Sequence, residues 1–194
     1  MRLYHFIYCL LFPFIKLLYP CRCHHVERLP ESGPAMICAS HSNLVDPLLL
    51  AYMAGWGRHI RFMAKKELFS IPILGAALRG AGTFPVDRGN ADMGAIRASM
   101  AILKERGFLG IFPEGTRKQE TGDAKNGAIM LAARSGAQVV PVYIPRKKRL
   151  FRRVHIVVGE PYVLDKDVRG KEAYAEKAEE LMARIEDLKG EYTA

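Results

Sequence analysis

Short apolar runs separated by stretches of helical periodicity leave this chain few ways to fold. Ala35 to Ala39, Ile60 to Ala64, Thr83 to Val86, Phe108 to Phe112, Gln138 to Ile144 and Arg153 to Val158 have the length and side chains of strands. Between them, Ala91 to Arg106 carries Ile96, Met100 and Leu103 at helical spacing, and Asn126 to Ser135 carries Ile129 and Ala133 before Gly136. The alternation predicts an α/β fold, one domain with a mostly parallel sheet flanked by helices, because parallel neighbours need a crossover and a helix is the compact one. Lys171 to Lys189 sets Tyr174, Ala178, Leu181, Ile185 and Leu188 on one stripe. At about two heptads the stripe is short for a coiled coil and predicts a helix docked on the domain. A chain of 194 residues, 49% hydrophobic and without a shift in composition, suits a single core.

The first residues follow another rule. Leu3 to Tyr19 reads LYHFIYCLLFPFIKLLY, but His5 and Lys16 are costly at depth and Pro13 is expected to interrupt the helix. The uninterrupted apolar part is then shorter than the roughly 20 residues of a span. Cations flank both ends, Arg2 on one side and Arg22 and Arg28 on the other, without the one-sided bias of a spanning helix. Residues 1–24 are therefore expected to be a membrane-associated segment lying at an interface, and residues 25–194 the working domain. A cleaved signal peptide is disfavoured because no small-x-small site follows the apolar part. Four cysteines, Cys9, Cys21, Cys23 and Cys38, are too few for a disulfide framework. Cys21-Arg22-Cys23-His24-His25 lacks paired C-x2-C spacing, so no metal site is expected.

Ser40-His41-Ser42-Asn43-Leu44-Val45-Asp46-Pro47 stands where a predicted strand meets a predicted helix. An imidazole accepts a proton near neutral pH, and a carboxylate on its other nitrogen fixes the tautomer and stabilises the imidazolium. His41 and Asp46 are the candidate general base and its partner. A structural role competes, since Asp before Pro and Leu-Leu-Leu-Ala is also a helix N-cap. Ser40 or Ser42 as a nucleophile that carries the transferred group is a further alternative.

Phe112-Pro113-Glu114-Gly115-Thr116-Arg117 follows a strand run, so its polar residues emerge at the carboxyl end, where open α/β sheets hold ligands. Gly115 lets backbone N–H groups approach a ligand, and Arg117 offers a planar fork for phosphate. Gly82-Thr83-Phe84-Pro85-Val86-Asp87-Arg88 repeats the pattern with a second arginine, and Lys65 is a third cation after its own strand. Surface turns and solvated side chains are the plain alternatives for all three. There is no G-x-x-x-x-G-K-[ST], G-x-G-x-x-G or G-x-S-x-G, which argues against ATP, NAD and nucleophile-elbow chemistry.

Four segments in this order resemble the glycerolipid acyltransferase family, in particular its bacterial 1-acyl-sn-glycerol-3-phosphate acyltransferases. They are His41-x4-Asp46, Gly82-x-Phe84-x-x-Asp87-Arg88, Phe112-Pro113-Glu114-Gly115-Thr116-Arg117 and Val140-Pro141-Val142-Tyr143-Ile144-Pro145. The resemblance covers about residues 25 to 165. Ser40 stands where the family often has Asn, and Ala124-Lys125-Asn126-Gly127 lacks an aromatic often found there. The resemblance implies transfer of a fatty acyl group from acyl-CoA or acyl carrier protein to the sn-2 hydroxyl of lysophosphatidic acid, giving phosphatidic acid, with the thioester as co-substrate and no cofactor. In that setting His41 is the base and Asp46 its orienter. Arg88 and Arg117 grip the acceptor phosphate, Glu114 positions the glycerol, and Gly115, Thr116 and Lys65 complete the binding side.

The formal charge of +9 attracts an anionic partner. Arg146-Lys147-Lys148-Arg149-Leu150-Phe151-Arg152-Arg153 is its densest segment, suited to an anionic leaflet, an acidic carrier protein, the phosphates of coenzyme A, or merely solvent. A membrane surface with anionic lipids, on the cytoplasmic side of the cell membrane and bound peripherally or monotopically, is the expected location. Nucleic acid is not an expected partner, since the interleaved aromatics and recognition helix are missing. Another lyso-lipid or glycerol phosphate as acceptor, and a non-catalytic lipid-binding module, are the alternative functions.

Overall fold

The computed structural model describes residues 2–87, 92–113 and 121–192. In chain order the elements are α1 (Arg2–Leu18), β1 (Cys21–His24), β2 (Ala35–Ala39), α2 (Asp46–Ala54), β3 (Ile60–Lys65), α3 (Pro72–Gly80), β4 (Phe84–Val86), α4 (Met93–Lys104), β5 (Phe108–Ile111), α5 (Thr121–Ser135), β6 (Gln138–Tyr143), β7 (Val154–Val158), β8 (Tyr162–Val163) and α6 (Lys171–Asp187). The strands form one sheet in the order β1-β7-β6-β2-β5-β3-β4, and β8 pairs with β6. Every pairing is parallel except those of β6 with β7 and with β8. The fold is thus a single α/β domain with a mostly parallel sheet flanked by helices.

Parallel sheets are covered on both faces, and β2 shows why its five residues are all apolar or small. Ala35, Ile37 and Ala39 face one core with Leu49 and Leu50 of α2 and Phe12 and Ile15 of α1. Met36 and Cys38 face the other, with Ile102 and Leu103 of α4, Ala132 of α5, and Leu181 and Ile185 of α6. The period of two splits one strand between two helical layers. The Ala178, Leu181 and Ile185 stripe of α6 is buried in that second core, as a docking helix requires.

Pro141, which has no N–H to give, sits inside β6. The outer edge of β6 is shared by two short partners, β8 at Gln138 and Val139 and β7 at Val142 and Tyr143, and the proline falls in the gap between them. Its carbonyl still accepts a bond from the Gly159 N–H at 2.8 Å.

The first helix departs from expectation at its proline. Pro13 does not end the first helix: α1 runs through it to Leu18 without the N–H that a proline lacks. No helix among the described residues is long and apolar enough to cross a membrane. Cys21 and Cys23 lie on β1, parallel to β7, with both side chains packed against the first core. Burial pushes the Cys21 thiol up to about 12 and the Cys23 thiol up to about 11, so both stay protonated. The helix α3 and the strands β1 and β8 have no counterpart among the predicted elements.

Candidate active site

Ser40 and His41 follow directly from the carboxyl end of β2. Ser40 is buried and acts as a clamp: its hydroxyl donates to the Ile144 carbonyl at 2.9 Å and accepts from the Ile144 N–H at 3.3 Å, extending the β2–β6 contact by one residue. The Ser42 hydroxyl donates to the Arg146 carbonyl at 3.1 Å and accepts from Lys148 Nζ at 2.8 Å. Both serine hydroxyls are committed to holding the loop together, which argues against either as a nucleophile.

The turn between His41 and α2 is built around Asp46. Its Oδ2 accepts the Ser42 N–H at 2.7 Å and the Asn43 N–H at 2.9 Å, and Asn43 Oδ1 accepts the Val45 N–H at 2.9 Å. Asp46 is not the N-cap: it is the first helical residue, after Val45, with Pro47 behind it. Its carboxylate turns back into the preceding loop instead of capping its own helix. This leaves His41 Nδ1 at 3.1 Å from Asp46 Oδ2, an ion-pair approach in which the ring N–H points off the straight line to the oxygen. With the carboxylate on the Nδ1 side, Nε2 is left as the proton acceptor.

The imidazole is held from the other side by a stack of rings. Phe112, just past β5, lies 4.4 Å from the His41 ring between centroids, and Phe62 on β3 stacks on Phe112 at 6.1 Å. Gly110 makes room for this. It pairs with Phe62 across β3 and β5, and a Cβ there would overlap the Phe62 ring.

Lys148 completes the surroundings of Asp46, with Nζ 2.7 Å from Oδ1 and both side chains 1% exposed. Burial works against the charged carboxylate, yet the contacts with His41, the Asn43 N–H, Lys148 and the Ser42 N–H outweigh it and lower the Asp46 pKa to about 2. No sequence signal marked Lys148. It stands in a run of cations that reads as a solvated loop, and it reaches Asp46 across 102 positions.

Arg88, Glu114, Gly115, Thr116 and Arg117 lie outside the described residues. The strands that lead to them are described. β2, β5, β3 and β4 are successive parallel neighbours, so all four carboxyl ends open on one edge. β5, which leads to Glu114, is next to the strand of His41, and β4, which leads to Arg88, is about 14 Å away at three strand spacings. On that edge a cleft of about 590 Å³ is lined by Lys66, Phe84, Asp87, Asp92 and Met93. Lys65 is not part of it: its ammonium pairs with Glu67 at 3.1 Å on the surface, and its neighbour Lys66 lines the cleft instead. Asp92 caps α4 by accepting the Ala95 N–H at 3.0 Å and also accepts the Asp87 N–H at 2.8 Å, tying the end of β4 to the helix.

A family model described as Acyltransferase matches residues 20–145, which hold the His41–Asp46 turn and all the strands of this edge. The chain belongs to the acyltransferase family. Among its relatives, the 1-acyl-sn-glycerol-3-phosphate acyltransferase of Bacillus subtilis (strain 168) is 34% identical over 172 residues, covering 85% of this chain and 86% of that protein. The enzyme of the same name from Streptococcus pneumoniae is 35% identical over 122 residues, covering 61% of this chain but only 45% of the relative. The crystal structure of the 1-acyl-sn-glycerophosphate (LPA) acyltransferase PlsC from Thermotoga maritima superposes with a TM-score of 0.70 at 24% identity, over 98% of this chain and 80% of that one. That likeness extends the acyltransferase fold to nearly the whole chain, α1 included.

Proposed function

We propose that the protein transfers a fatty acyl group from an acyl thioester, carried by coenzyme A or acyl carrier protein, to the sn-2 hydroxyl of lysophosphatidic acid, giving phosphatidic acid. The observation that carries this reading is the imidazole of His41 held by a buried carboxylate at the carboxyl edge of the sheet. The acceptor follows from the Bacillus relative, which matches this chain over most of both lengths.

A thioester is already activated, so the protein has to deprotonate the hydroxyl, bring it close and stabilise the developing oxyanion. His41 Nε2 takes the hydroxyl proton as the oxygen bonds to the thioester carbonyl carbon. When the tetrahedral intermediate collapses, the C–S bond breaks and the same proton passes to the departing thiolate. Asp46 holds the imidazolium between these events. The scheme uses neither metal nor cofactor. Arg88 and Arg117 bind the acceptor phosphate, Glu114 the glycerol, and Gly115 and Thr116 supply backbone and hydroxyl contacts. On the cleft side Lys66, rather than Lys65, is the added cation. A panel of acceptors tests the assignment: lysophosphatidic acid is expected to be acylated with the highest kcat/KM, ahead of lysophosphatidylcholine and glycerol 3-phosphate. Preference for either of the others would reassign the acceptor.

We also propose that α1 docks the enzyme on the cytoplasmic face of an anionic membrane. Tyr4, Phe12 and Ile15 are buried against the domain, whereas Phe6, Leu10, Phe14 and Leu17 form an exposed stripe. Ile71, Ile73 and Leu74 at the start of α3, which packs on α1, are exposed as well. The basic segment joins the same surface: the Phe151 N–H donates to the Leu18 carbonyl at the end of α1, and Leu150 and Phe151 are exposed. Cations near an anionic leaflet contribute about 1 kcal/mol each. Phe14→Asp is expected to weaken sedimentation with phosphatidylglycerol-containing vesicles by about tenfold or more while leaving the fold intact. Unchanged vesicle binding would remove α1 from the membrane contact.

A further inference from the structure

We infer that Lys148 is a positioning residue of the active site, acting on His41 through Asp46; this rests on the acyl-transfer reading above. An ammonium has three N–H bonds to give. Lys148 gives two of them in hydrogen bonds, to Ser42 Oγ at 2.8 Å and to the Pro145 carbonyl at 2.6 Å, and its Nζ lies 2.7 Å from Asp46 Oδ1 in an ion pair whose angles fall short of a hydrogen bond. The ammonium is therefore held by two hydrogen bonds and one charge contact, with its side chain buried while its neighbours in the sequence face solvent.

The arrangement fixes the carboxylate at both oxygens. Two loop N–H groups and His41 converge on Oδ2, and Lys148 holds Oδ1, so the carboxylate cannot rotate about its Cβ–Cγ bond without breaking contacts on both sides. It also compensates the charge. A carboxylate this deep is costly alone, and a buried lysine is costly alone; each neutralises the other. The same ammonium ties the turn after β6 to the turn after β2, since Ser42 Oγ both accepts from Lys148 and donates to the Arg146 carbonyl. The base is thereby held by two strand ends that are neighbours in the sheet but about a hundred residues apart in sequence. Lys148 touches neither substrate in this scheme. Its contribution is to keep Oδ2 aimed at His41.

The test is a double-mutant cycle between Lys148 and Asp46, read by kcat, acceptor KM and urea midpoint. In the wild-type background, Lys148→Met is expected to lower kcat on the order of tenfold to a hundredfold, with acceptor KM changed less than about threefold. In an Asp46→Asn background the same substitution is expected to cost no further kcat and to raise the urea midpoint, because it removes a lysine left without its counter-charge. A Lys148→Met enzyme with near-wild-type kcat, or a loss of kcat that persists undiminished in the Asp46→Asn background, would overturn the assignment. If Lys148→Met alone does not fold, the urea midpoints and kcat values of Asp46→Asn and the double variant still decide it. Absence of acyl transfer by the wild-type enzyme would instead strike the proposed function; the stability half of the cycle stands apart from that result.

Discussion

His41→Ala is expected to lower kcat for acyl transfer by about a hundred- to ten-thousandfold while the protein stays folded, because only the proton acceptor is lost. His41 sits in a loop, its ring resting on Phe112, and none of its atoms closes a strand or helix bond in the sheet. Truncation should leave the melting transition close to that of the wild type. Acceptor and donor KM should move little, since the imidazole works on the hydroxyl proton in the transition state. Steady-state kinetics beside thermal unfolding of the same preparation check this. Substantial turnover by a folded His41→Ala enzyme would end the general-base assignment.

Asp46→Asn should fail in two ways at once. It removes the charge that supports the imidazolium, and it strands the buried Lys148. Breaking one side of a buried ion pair costs about 3–5 kcal/mol, so a clear fall in urea midpoint is expected together with the loss of activity. The pH dependence carries the same signature. Asp46 has a pKa of about 2 in the folded protein, below the roughly 3.9 of an unfolded aspartate. A carboxylate whose pKa is depressed by folding adds stability that is fully present above the unfolded value and is lost as pH falls towards the folded one. The wild type should therefore lose roughly 2 kcal/mol from this group between about pH 4 and pH 2, and the slope in that window should be shallower in Asp46→Asn. Equal slopes would mean that Asp46 is not held as the contacts indicate.

The sequence carried those parts of the fold that obey a local rule. β2 was legible because five consecutive buried residues leave a continuous apolar run, and α6 because its stripe keeps helical period. The His41–Asp46 pair was legible as a motif, but its geometry was not. Asp before Pro suggests a cap, whereas the carboxylate turns back to the Ser42 and Asn43 N–H groups, a choice made by the loop around it. β1 escaped because its alternation lasts only four residues and rests on Cys21 and Cys23, which read first as a would-be metal cluster and not as small apolar side chains. α3 escaped because Pro72, Gly75 and Gly80 read as loop punctuation. The Pro13 break was an inference from helix propensity, overridden by the packing of Phe12 and Ile15 on the domain. Lys148 was hidden by its own surroundings: in a run of six cations within eight residues, nothing local distinguishes the one that turns inward.

Direct transfer to the acceptor, driven by His41, is tested most closely by following thiol release from a labelled acyl thioester before and after lysophosphatidic acid is added. The account predicts almost no thiol and no label on the protein until the acceptor arrives, then thiol and labelled phosphatidic acid in equal amounts. A stoichiometric burst of thiol with label bound to the protein in the absence of acceptor would contradict it.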